Sequence, residues 1–100
     1  MTEQPAVSVR RNEQAHRYEA ELDGAIAGFI DYHLRDGHPV LIHTETDPAF
    51  GGRGVGTALV TSALADIRVR GEKAIVICPF IKAYLAKHPG EYDDVILRVE

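Results

Sequence analysis

Four of the six residues from Gly51 to Gly56 are glycine, in the order Gly51-Gly52-Arg53-Gly54-Val55-Gly56, and they stand where the hydrophobic pattern changes its period. Upstream, His16 to Leu22 alternates, with Tyr18, Ala20 and Leu22 on one phase and Arg17, Glu19 and Glu21 on the other. That is the period of a half-buried strand. Downstream, from about Gly54 to Arg70, the residues Val55, Leu59, Ala63, Leu64 and Ile67 fall at helical spacing and form one stripe. A strand region thus feeds a long helix through a loop with few side chains. Glycine lets a backbone approach a ligand closely. The helix start beyond it offers unpaired N–H groups and the positive end of a dipole. Together they make a cradle for a diphosphate.

The remaining elements follow from the same reading. Val7 to Arg11 is a short strand closed by the polar turn Asn12-Glu13-Gln14. Asp23-Gly24 is a two-residue hairpin signal, since both positions tolerate positive φ. Ala25 to Leu34 is apolar on both phases and reads as a central strand, followed by the turn Arg35-Asp36-Gly37-His38-Pro39 and a fourth strand, Val40 to Thr46. After the long helix, Gly71 serves as a C-terminal cap and Lys73 to Ile77 as a buried strand that Cys78-Pro79 ends. Phe80 to Lys87 is a second helix that buries Phe80, Ile81, Tyr84 and Leu85, and His88-Pro89-Gly90 stops it. The tail from Glu91 reads as a last turn or a last strand. Early strands followed by a β–α–β–α unit imply one α/β domain over residues 1–100, with a mixed, largely antiparallel sheet and packed helices.

Composition narrows the function. The chain has 100 residues, 45% hydrophobic and 26% charged, the balance of an ordinary globular domain. A net charge of −4 argues against nucleic acid, whose binding depends on Lys and Arg neutralising phosphates. One cysteine, Cys78, cannot form an internal disulfide and fits a reducing compartment. No stretch approaches the ~20 apolar residues of a membrane span, and Met1 to Gln4 lead into no apolar signal region. The expectation is a cytoplasmic protein with no membrane partner, a monomer or a weak homodimer. His16, His33 and His38 have no ligand spacing, so no metal site is expected.

Several families build diphosphate cradles, and the loop separates them. A P-loop needs Lys then Ser or Thr after its last glycine, whereas Gly56 is followed by Thr57-Ala58. A dinucleotide fingerprint places a third glycine where Thr57 stands, and an acid at the end of the next strand, which here ends in Ile77-Cys78. The loop instead resembles that of the GNAT-type N-acetyltransferases. Their pattern is Arg or Gln, two residues, Gly, one residue, then Gly or Ala, after the fourth strand and opening a long helix. Gly54 and Gly56 match the two small positions, and Gly51 stands where Arg or Gln is usual. The flanks Ile42-His43-Thr44-Glu45-Thr46-Asp47-Pro48 and Ile77-Cys78-Pro79-Phe80-Ile81-Lys82-Ala83-Tyr84 are similar to a minimal subfamily of about this length. The first helices of larger members are replaced here by the turn at Asn12-Glu13-Gln14.

The resemblance implies a reduced GNAT (acyl-CoA N-acyltransferase) fold. It implies a protein that binds acetyl-coenzyme A and acetylates an amine, either a small molecule or a lysine-containing acceptor, across an unusually open groove. It places the pyrophosphate on Gly51, Gly52, Arg53, Gly54, Val55, Gly56 and Thr57, and the pantetheine on the backbone of Ile42, His43 and Thr44. Arg53, Lys82 and Lys87 are candidates for the 3′-phospho-ADP end. Tyr84 is the candidate proton donor to the departing thiolate. From the residues themselves, His43 is a candidate base, because an unperturbed histidine titrates near ~6.5. Glu45, on the same strand face, is placed to orient it. Cys78 is a candidate acyl acceptor, at the end of the strand that flanks the pantetheine and near a helix N-terminus. Each has a plainer alternative: a surface histidine, a solvated carboxylate, a core tyrosine, a small buried hydrophobe. Two further readings stay open, a non-catalytic coenzyme-binding or sensing module and an interaction domain whose loop binds nothing.

Overall fold

The computed structural model describes residues 7–51 and 54–97. Five strands form one sheet in the order β1-β2-β3-β4-β5, with β1 Ser8–Asn12, β2 Arg17–Leu22, β3 Ala25–Arg35, β4 His38–Thr46 and β5 Ile75–Val76. Helix α1, Val55–Val69, joins β4 to β5, and helix α2, Pro79–Ala86, follows β5. The first four strands pair antiparallel, and β4 with β5 is parallel. The expected mixed, largely antiparallel α/β architecture is what forms.

The hairpins form where the turn chemistry places them. Asp23 and Gly24 have φ of 54° and 78°, and Asp36 and Gly37 have φ of 52° and 82°. Both pairs therefore turn with the twist that suits a two-residue hairpin. His38 and Pro39, expected in the second turn, lie in β4 instead. Pro39 is tolerated there in the first residues of the strand. Asn12 stays in β1, and its side chain accepts from the Ala15 N–H at 3.1 Å to close the first turn.

One face of the sheet packs against α1. The side chains Tyr18, Ala20, Leu22, Ile30, Tyr32 and Leu41 meet Val55, Leu59, Val60, Ala63, Leu64 and Ile67, and all are buried. The helix ends in a Schellman motif: the Glu72 N–H reaches the Ile67 carbonyl at 3.0 Å and the Gly71 N–H reaches that of Arg68 at 3.1 Å. A polar staple crosses this edge of the core. The Arg11 guanidinium bonds Tyr32 Oη at 3.0 Å and Glu72 at 2.7 Å, while Tyr18 Oη donates to Asp66 at 2.7 Å. Among the described residues, no buried side-chain polar atom lacks a partner.

The expected strand Lys73–Ile77 shortens to Ile75–Val76, because Ala74 turns to the tail. The Ala74 N–H donates to the Val95 carbonyl at 2.7 Å, and the Leu97 N–H to the Ala74 carbonyl at 2.8 Å. Arg68 holds the approach to this bridge through a bidentate pair with Asp94, both bonds 2.8 Å. No helix of the described residues is long and apolar enough to cross a membrane.

Candidate functional site

The ladder between β4 and β5 has two rungs, Val40 with Ile75 and Leu41 with Val76. It then stops, because the Leu41 carbonyl takes the N–H groups of both Ile77 (2.9 Å) and Cys78 (3.0 Å) as the chain turns away. Proline at position 79 enforces the turn, since it has no N–H for a sheet and its fixed φ suits the first residue of a helix. From Ile42 to Thr46, β4 continues beside β3 alone among the described residues. A gap therefore opens between β4 and the start of α2. Across it, Thr44 Oγ1 and Cys78 Sγ lie 3.3 Å apart. Cys78 is buried and occupies the N-cap of α2, yet its sulfur caps no helix amide. It is spent on the threonine.

The first turn of α1 lies beside the gap. Asp47 starts a short 3-10 turn, Pro48–Phe50, by accepting the Ala49 N–H at 2.9 Å. Gly54 then caps α1 in the left-handed region, at φ 73°. Among the described residues no side chain caps the helix here, and its first internal bond is Ala58 N–H to the Gly54 carbonyl, 2.9 Å. The N–H groups ahead of that bond have no acceptor within the helix, the standing condition for holding an anion. A cavity of about 200 Å³ lies over them, lined by Thr46, Phe50, Gly51, Gly54, Gly56, Thr57 and Phe80 among others. Phe80, expected on the buried side of α2, is half exposed. Its ring covers Gly56 so closely that a Cβ there would sit 2.7 Å from Cζ. The glycine at 56 thus serves the packing of α2 on α1 as well as the cavity. Gly52 and Arg53 lie outside the described residues.

The other candidates separate. His43 and Glu45 share the face of the sheet away from α1, both well exposed, with Nε2 and Oε1 3.8 Å apart. The Tyr84 hydroxyl lies 3.5 Å from that of Tyr92, and its ring stacks on His88 at 4.2 Å. The bond to Tyr92, with some burial, pushes the Tyr84 pKa up to about 12. That hydroxyl is engaged with the segment after α2, whereas Thr44, Cys78 and the first turn of α1 gather at the gap. Lys82 and Lys87 are exposed on and after α2. Among the described residues, no three His, Cys, Asp or Glu side chains cluster to hold a metal.

Residues 17–95 match the family model for the GCN5-related N-acetyl-transferase. The chain belongs to that family. Among solved structures, this family member is similar to the solution structure of a GCN5-like candidate N-acetyltransferase from Staphylococcus aureus. The TM-score is 0.66 and the identity 26%, over 93% of this chain and 90% of that one. It is also 39% identical over 66 residues to a mycothiol acetyltransferase of Nocardia farcinica. That match takes in 65% of this chain and spans about a fifth, 22%, of the larger protein.

Sequence reasoning missed two features of this member of the family. Phe80 is a wall of the α1 cavity rather than a core residue, because Gly56 offers it a flat seat. A second depression, of about 470 Å³, lies on the open face around Arg17, Phe29 and Glu45. The sequence signal for it was slight, Phe29 sharing its phase with Asp31 and His33 in a run otherwise apolar; only the register sets the ring beside Glu19 and Glu45.

Proposed function

We propose that this chain binds acetyl-coenzyme A and transfers the acetyl group to an amine. The observation that carries the reading is the gap itself. The β4–β5 ladder ends at Leu41, a thiol and a hydroxyl meet within it at 3.3 Å, and an uncapped helix start opens beside it. The N–H groups of Gly54, Val55, Gly56 and Thr57, which find no acceptor among the described residues, suit a pyrophosphate. The exposed backbone edge of Ile42, His43 and Thr44 suits an amide-bearing arm such as pantetheine. The thioester then lies beside Cys78.

In this reading Cys78 is the acyl acceptor. Its sulfur attacks the thioester carbonyl, the new C–S bond forms as the old one breaks, and the coenzyme leaves as a thiolate that takes a proton from Tyr84, which the proton shed by the Cys78 thiol restores. Exchange between two thiols is close to isoenergetic. Thr44 orients the sulfur, and the amine then displaces it. Tyr84, whose raised pKa keeps it protonated, is the proposed proton donor, provided its hydroxyl leaves Tyr92. A free thiol in this role needs a reducing compartment, in keeping with a cytoplasmic protein.

Calorimetry with coenzyme A and acetyl-coenzyme A tests binding, and intact-mass analysis after incubation with acetyl-coenzyme A tests the acyl step. A hydroxylamine-labile acetyl group on Cys78, absent in Cys78→Ala, is the expected result. Amine acetylation at full rate by Cys78→Ala would leave direct attack as the mechanism. Binding without turnover of any amine would leave a sensing module. No heat with either coenzyme would end the reading.

A further inference from the structure

The groove on the open face runs from the β2–β3 hairpin to the end of β4, and it shares Thr46 with the cavity over α1. Its floor is Phe29, which stands opposite Glu19 in β2 and Glu45 in β4. The Arg17 guanidinium lies over the Phe29 ring, 4.8 Å from its centroid, and its Nε donates to Glu19 at 2.7 Å. Glu19 is itself nearly buried and is held by Arg10 and Asn12 as well. The guanidinium is therefore fixed from below and from one side. Its two terminal nitrogens have no partner among the described residues.

Glu45 borders the same groove and makes no ion pair with Arg17 across the ring. Among the described residues its cationic partner is His43, at 3.8 Å, beyond hydrogen-bond length. Two opposite charges thus line one groove without neutralising each other. The next residue back along β4 is Thr44, whose hydroxyl meets the Cys78 thiol.

We propose that this groove seats the acceptor, and that the acceptor is a small zwitterion, its carboxylate on the terminal nitrogens of Arg17 and its ammonium on Glu45. The inference rests on the acetyl-transfer reading above and adds the acceptor class. A planar guanidinium held by one edge presents the other to a carboxylate in fork geometry, the pairing arginine makes best. A purely cationic acceptor would gain from Glu45 and be repelled by Arg17. The ammonium gives one proton to His43 through the His43–Glu45 pair. The freed nitrogen attacks the acetyl carbonyl in the gap, the N–C bond forms as the C–S bond breaks, and the sulfur leaves as a thiolate. The second proton of the nitrogen neutralises that thiolate.

The test is an amide-resolved NMR titration of the whole chain with three matched pairs: glycine and glycinamide, β-alanine and its amide, 4-aminobutyrate and its amide. The expected result is saturable shifts at Phe29, Glu45 and Thr46 for at least one free acid, about tenfold tighter than for its amide, the value of one charge-assisted pair. Arg17→Leu should erase that preference. Exposed Glu45→Gln, which leaves the fold alone, should weaken acid and amide by the same factor. Gly54→Val, which removes the coenzyme cradle, should leave the titration unchanged, so failure here and failure of coenzyme binding are read separately. Equal affinity for acids and amides, tighter binding of the amides, or no shift at these amides with any of the six would overturn the proposal.

Discussion

On the α1 side of the sheet, Tyr18, Ala20, Ile30 and Leu41 are at most 1% exposed and sit in one apolar cluster with the helix. On the other side the same strands present Arg10, Arg17, Phe29, Asp31, His43 and Glu45, all at least partly exposed, and Glu19 is the polar residue buried there. Neighbouring residues of one strand thus do different work. The packed face holds the fold, and polar groups enter it only as closed sets such as Tyr18–Asp66 and Arg11–Tyr32–Glu72. On the open face Arg17 and Glu19 pair at 2.7 Å, whereas His43 and Glu45 stand 3.8 Å apart.

The contrast breaks most visibly in the core. Leu59→Ala should cost about 2–5 kcal/mol, because the buried side chain leaves a cavity between α1 and β3. The midpoint of urea unfolding measures it, and a cost below that of an exposed helix substitution would mean the α1 face is not the main core. Arg11→Met should come next, at about 1–3 kcal/mol, since it leaves the Tyr32 and Glu72 oxygens without their partner while keeping the stem packed.

pH sharpens the comparison. Burial, and then the bond to Asp66, raises the Tyr18 pKa above its ordinary 10.0. The folded chain keeps that proton longer than the unfolded chain. This stability is therefore whole below about pH 10 and is lost as pH climbs above it, with a slope near 1.4 kcal/mol per unit. The Arg17 bond lowers the Glu19 pKa below its ordinary 4.5. Its contribution is present above that value and lost as pH falls through the lowered one. Tyr18→Phe should flatten the alkaline limb and leave the share of Tyr84. Glu19→Gln should flatten the acid limb and leave the share of Asp94, which Arg68 holds low. Each substitution costs about 1 kcal/mol at pH 7. The smallest effect belongs to His43→Ala, well exposed on the open face, which should change stability by less than about 0.5 kcal/mol. Acetyl transfer at pH 7 should nonetheless fall if His43 takes the proton of the ammonium.

The hairpins and α1 were legible because their causes are local. Asp23-Gly24 and Asp36-Gly37 accept positive φ wherever they stand, and the stripe from Val55 to Ile67 buries as spaced. The places of Gly54 and Cys78 in the fold were legible for the same reason: Gly54 starts a helix and Pro79 ends a strand by their own chemistry. Phe80 was misjudged because apolarity says only that a ring seeks cover. Whether it finds that cover in the core or on Gly56 depends on where α2 crosses α1.

The amino-acid order by itself thus determined most of the elements, their turns and the glycine start of α1, since torsion preferences and hydrophobic period act within a few residues. Tertiary structure decided what lies between distant segments. It ended the β4–β5 ladder at Leu41, brought Thr44 to Cys78, tied the tail to Ala74 and turned Tyr84 towards Tyr92. It also laid Arg17 over Phe29 instead of leaving it in solvent. These outcomes depend on strand register and helix placement, which are set by the packing of the whole core and not by the period of any one segment.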